Sequence, residues 1–70
     1  MTVQSDARTS ELAIWNDLLI DDTAARHRPE HQHGALTTHA DVLCRLGIID
    51  EGERVEMQEL ADARYSAATD

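Results

Sequence analysis

The sequence predicts an all-α fold, a small three-helix domain with helices at about 10–27, 38–46 and 51–67, assembled as a homodimer. Three observations predict it. Apolar residues recur at helical spacing, helix-capping residues precede the later periodic segments, and no segment alternates apolar and polar residues over five positions with β-branched enrichment. The run GIID at 47–50 is short and ambiguous.

Residues 1–9 carry one strongly apolar side chain, Val3, and read as a flexible arm ahead of a single helical domain at 10–70. From Ser10 the composition changes to good helix formers, with Glu11 in the first turn, where the helix dipole favours an anion. Pro29 disfavours the α conformation at Arg28, so helix 1 is expected to stop near 26–28. Pro29 and Gly34 then bracket polar residues without periodicity, which predicts a His-containing loop at about 28–36. Thr37 or Thr38 is positioned to cap helix 2, and Gly47 supplies the left-handed residue that ends it, with Ile48 folding back on Leu43. Asp50 and Glu53 have the spacing of a capping box for helix 3.

At about 100° per residue, helix 1 sets Leu12, Trp15 and Leu19 on one stripe, Ile14 and Leu18 beside it, and Ala13, Ile20 and Ala24 further round. So wide an apolar arc exceeds what two short companion helices cover, and a second copy is the expected cover, with Leu12, Trp15, Leu18 and Leu19 as self-interface; the alternative is that the N-terminal arm and the His-containing loop fold over that face within one monomer. Helix 2 directs Val42, Leu43 and Leu46 inward, with Ala40 and Cys44 on the other side. Helix 3 directs Met57, Leu60, Ala61 and Ala68 inward, with the Arg64 stem among them and Val55 and Tyr65 outside that stripe.

Fourteen acidic side chains against six basic ones give a net charge of −8, which opposes direct binding to nucleic acid or an anionic membrane and favours a basic protein partner. All six cations are arginines, so lysine Schiff-base chemistry and the P-loop lysine are excluded. A helix-turn-helix reader is excluded as well, because its recognition helix would hold Asp50, Glu51 and Glu53 against phosphates. Cys44 is the single cysteine, no apolar run is long enough for a membrane span or signal peptide, and a cytoplasmic setting is expected.

His27, His31, His33, His39 and Cys44 offer zinc-type ligands. Of these, His27, His31 and His33 are the metal candidates, but Pro29 interrupts the helical spacing between His27 and His31, and incidental histidines in a solvated loop are the preferred reading, with no cofactor. His39 and Cys44 point about 140° apart on a helix, which disfavours a cysteine nucleophile with a local base. No phosphate loop or nucleophile elbow occurs, so the chain is expected not to be an enzyme.

On helix 3 the acids Glu53, Glu56, Glu59 and Asp62 outnumber the one arginine among them, Arg54. With Tyr65 as an anchor they form the expected partner-binding face of a stoichiometric adaptor or inhibitor of a regulatory protein, such as a DNA-binding one. Small anti-activators, antitoxins and mobile-element proteins share this size and charge, by analogy alone. The alternatives are a His-cluster transition-metal module and a structural subunit of a larger complex.

Overall fold

A single aspartate divides the first predicted helix in two. The computed structural model of the chain describes residues 3–70, with side chains from Asp6 onward. It contains α1 (Val3–Leu19), α2 (Asp22–His27), α3 (Pro29–Arg45) and α4 (Glu51–Thr69), and no strand among the described residues. Asp21 takes an extended conformation between α1 and α2, and its Oδ1 accepts from the Ala24 N–H at 3.1 Å, so it caps α2 where helix 1 was expected to continue.

Two further boundaries differ from expectation. Positions 3–9, read from sequence as part of an arm, are helical, and residues 1 and 2 lie outside the described residues. The physical reason is tertiary: Arg8 donates to the Ile48 carbonyl at 3.0 Å and pairs with Glu53, which docks this end of α1 on the start of α4. The segment 28–36, expected as a loop, belongs almost wholly to α3. Pro29 does end α2 at His27, but it also occupies the first position of α3, where its missing N–H has no helical partner to lose.

The later signals act as the sequence predicts. Gly47 has φ 75°, and the Ile48 N–H returns to the Leu43 carbonyl at 2.9 Å, closing α3. Asp50 Oδ1 accepts from the Glu53 N–H at 2.8 Å while Glu53 Oε1 accepts from the Asp50 N–H at 3.1 Å, a complete capping box.

The core gathers Trp15 from α1, Leu36, Ala40 and Leu43 from α3, Ile49 from the connection and Met57 and Ala61 from α4. The Trp15 indole N–H donates to the Leu36 carbonyl at 2.9 Å, so the largest side chain is satisfied inside its own chain. α3 is central. Trp15 faces Leu36, Glu11 faces His39 and Leu18 faces Gln32, so α1 runs antiparallel to α3. Cys44 with Glu51 and His33 with Asp62 give α4 the same relation to it. α1 and α4 therefore run in one direction, both leaning on α3 and touching each other sparingly.

This arrangement corrects the predicted faces. Leu36 and Gln32, which a loop at 28–36 leaves out of the helix, rotate the buried side of α3 onto Ala40 and Leu43, leaving Val42 and Leu46 exposed at 41% and 67%. On α4, Met57 and Ala61 are buried but Leu60 is 51% exposed and Ala68 is exposed. The ground for expecting a homodimer changes too, because α3 covers Trp15, and Leu12, Leu18 and Leu19 are half-buried against the same core. What α1 leaves outside is Ile14, followed by Ile20 just past its end. Among the described residues no helix is long and apolar enough to cross a membrane.

Candidate functional site

The end of α1, Asp22 at the start of α2 and the second half of α4 line an open groove of about 510 Å³. Leu19 and Ile20 form one wall, and Leu60, Ala63 and Ala67 form the other. Leu60, Ala63 and Ala67 recur at spacings of three and four, so they fall on one stripe of α4.

The first wall is set in place by Gln32. This side chain is 1% exposed, and its Nε2 donates to the Leu18 carbonyl at 2.8 Å and the Asp21 carbonyl at 3.2 Å. Those carbonyls belong to the break between α1 and α2 and each also accepts a backbone N–H, Leu18 from Asp21 at 3.3 Å and Asp21 from Ala25 at 3.0 Å, so Gln32 supplies the second donor to each. Sequence reading missed Gln32, since a glutamine in an apparent loop carries no signal of burial.

Two of the lining residues form an ion pair, Arg64 Nη2 donating to Asp22 Oδ1 at 2.5 Å. The guanidinium beside Asp22 holds its carboxyl below the usual aspartate range, through the hydrogen bond first and the charge second. The pair ties α2 to α4 and engages Arg64, the one cation lining the groove among the described residues.

The acids of α4 separate into two groups. Glu53 is committed internally, to the capping box and to Arg8, whose hydrogen bond keeps the Glu53 carboxyl below its ordinary range. Asp62 is also committed: His33 Nε2 lies 2.6 Å from its Oδ1 and Gln58 Nε2 donates at 3.1 Å, and the His33 contact is the leading cause of its lowered pKa. Tyr65 is half-buried with its ring 5.1 Å from His33. Glu56 and Glu59 are exposed and make no ion pair among the described residues. They stand one turn before Leu60 and Ala63 respectively, which puts them along the groove side of α4. The structure thus leaves Glu56 and Glu59 exposed beside the groove's α4 wall and turns Asp62 and Tyr65 towards α3.

The histidines are dispersed. His27 and His31 are exposed around Pro29, His33 faces Asp62, and His39 Nε2 lies 2.8 Å from Glu11 Oε2. Among the described residues no group of three or more His, Cys, Asp or Glu side chains converges as a metal-ligand set. Cys44 is half-buried near the end of α3, its Sγ 3.5 Å from Glu51 Oε2, and burial followed by that contact pushes its thiol pKa up, away from nucleophilic character. Comparison with protein-family models, curated proteins and solved structures finds no significant match to this chain.

Proposed function

We propose that the protein is a non-catalytic, acidic binding module that engages a basic protein partner stoichiometrically, as an adaptor or inhibitor. The observation that supports this reading best is the juxtaposition on α4 of two unpaired, exposed carboxylates, Glu56 and Glu59, with the 51%-exposed Leu60. Other carboxylates are engaged, those of Glu53, Asp62 and Asp22 between elements and that of Glu51 with Arg54 within α4, so the acids left over on this face are available to an incoming cation. In that arrangement the apolar side chain contributes affinity by leaving water, and the carboxylates accelerate encounter and select against acidic surfaces. Inhibition follows by competition when the basic surface is one that the partner needs for another ligand.

The sequence-based homodimer is a weaker candidate for this face, because a second copy brings another −8 charge and another Glu56 and Glu59 to the contact. The test is capture from the native host with wild-type protein and with the E56Q/E59Q variant, followed by stopped-flow measurement on each purified partner. Support is a partner lost with the variant whose association rate falls as salt rises. Identical partner sets together with a salt-independent rate would overturn the reading, and light scattering of the free protein reports self-association.

A further inference from the structure

Resting on that reading and making its partner specific, we propose that the groove between the α1–α2 junction and α4 is the docking site for one basic amphipathic helix of the partner protein. Three features of the groove choose a helix. Its walls are the ends of two helices that run in the same direction, so an incoming helix antiparallel to both repeats what α3 does. Leu60, Ala63 and Ala67 follow the i, i+3, i+7 spacing that meets anchors of the same spacing on a partner helix. Ala63 and Ala67 are small, which lets a backbone approach between the projecting Leu60 and Ile20, themselves 51% and 62% exposed.

Charge then chooses the kind of helix. Glu56 and Glu59, one turn before the lining residues Leu60 and Ala63 on α4, make no ion pair among the described residues, while Arg64 is already held by Asp22. An acidic helix meets repulsion here, and so does a second copy of this chain with its net charge of −8. A helix with leucine-type anchors on one stripe and arginine or lysine along its edge satisfies both the apolar walls and the two carboxylates. An extended basic segment satisfies the carboxylates alone.

The experiment uses the full chain and three labelled peptides of about 18 residues, about five helical turns. One has leucines at helical spacing edged by lysines, one has the same composition scrambled, and one carries glutamates in place of the lysines. Anisotropy titration reads affinity, circular dichroism reads helix gained on mixing, and ¹⁵N shift mapping reads the contact surface. The expected result is that the first peptide binds at least about tenfold more tightly than either control and gains helix. Its shifts centre on Ile20, Leu60, Ala63 and Ala67, and L60S or A67Q weakens binding while the variant keeps the wild-type dichroism spectrum. Should a variant fail to fold, the shift map on the wild-type chain still decides the location.

Equal binding of the scrambled peptide, lost in E56Q/E59Q, would leave a basic-partner module standing and overturn the helix-docking groove. No binding by either basic peptide would overturn both. Concentration-dependent dimerisation abolished by L60S would make a second copy the occupant and overturn the proposal.

Discussion

The buried amide of Gln32 on α3 holds two consecutive helix ends at once, donating to the carbonyls of Leu18 and Asp21 at 2.8 and 3.2 Å. One side chain thereby fixes the angle at which α2 leaves α1, and with it the wall of the groove. Replacing it by leucine, Gln32→Leu, keeps similar bulk but removes the second donor to each carbonyl, which retain their backbone partners Asp21 and Ala25. The expected cost is about 0.5–1.5 kcal/mol, the net worth of a hydrogen bond exchanged against water. Thermal unfolding of the variant checks this, and an unchanged melting temperature would assign the amide no structural weight.

Gly47 and Gly34 make opposite predictions from the same substitution. A Cβ at either position meets nothing within 4 Å, so backbone conformation alone decides the sign. At Gly47 the φ of 75° puts any L-residue in the left-handed region, and Gly47→Ala is expected to destabilise by about 1 kcal/mol. Gly34 lies inside α3 with ordinary helical geometry, and Gly34→Ala is expected to stabilise by about 0.5–1 kcal/mol. Urea melts of the two variants, moving in opposite directions from wild type, check the pair.

Acid should unfold the protein from a defined point. The carboxyls of Glu51 and Glu53 are held below their unfolded value of 4.5, and those of Asp22 and Asp62 below 3.8, in each case chiefly by a hydrogen bond from Arg54, Arg8, Arg64 or His33. A carboxyl with a lowered folded pKa binds protons more readily in the unfolded chain, so its stabilisation is complete above the unfolded value and drains away as pH falls through the folded one. The urea midpoint is expected to decline as pH falls below 4.5, with Asp22 and Asp62 joining below 3.8. In E53Q the upper part of that decline should shrink. A midpoint flat across this range would contradict the assigned ion pairs.

Cys44 should react slowly. Its thiol is half-buried, shifted upward by desolvation and by the neighbouring Glu51, and therefore carries less thiolate at neutral pH than a free cysteine. Alkylation near pH 7.5 is expected to be several-fold slower than for glutathione under the same conditions. In E51Q the rate should rise, because the like charge opposing the thiolate is gone; equal rates in both proteins would place the cause in burial alone.

Much of the helical framework was legible because its determinants are local. Gly47, the Asp50–Glu53 box and Pro29 each act through their own backbone, and each ends or starts a helix as their chemistry dictates. The departures are non-local. Arg8 extends α1 through a residue 45 positions away, and Asp21 breaks helix 1 at a site where no proline or glycine announces it. Gln32 looks like loop polarity until its acceptors from another helix are in view. The same limit applies to the site: the acidity of α4 was visible, but which carboxylates were spent on Arg8 and His33 depended on tertiary neighbours, leaving Glu56 and Glu59 as the remainder.

The sparing contact between α1 and α4 leaves α3 as the element that holds both in register. Each reaches α3 over modest sequence distances, Leu18 to Gln32 and Cys44 to Glu51, whereas the Arg8–Glu53 pair spans 45 positions. The groove consequently has both walls only while α1 and α4 are seated on α3 together. Loosening of α1 alone would leave the α3–α4 hairpin with one wall of the groove and no second.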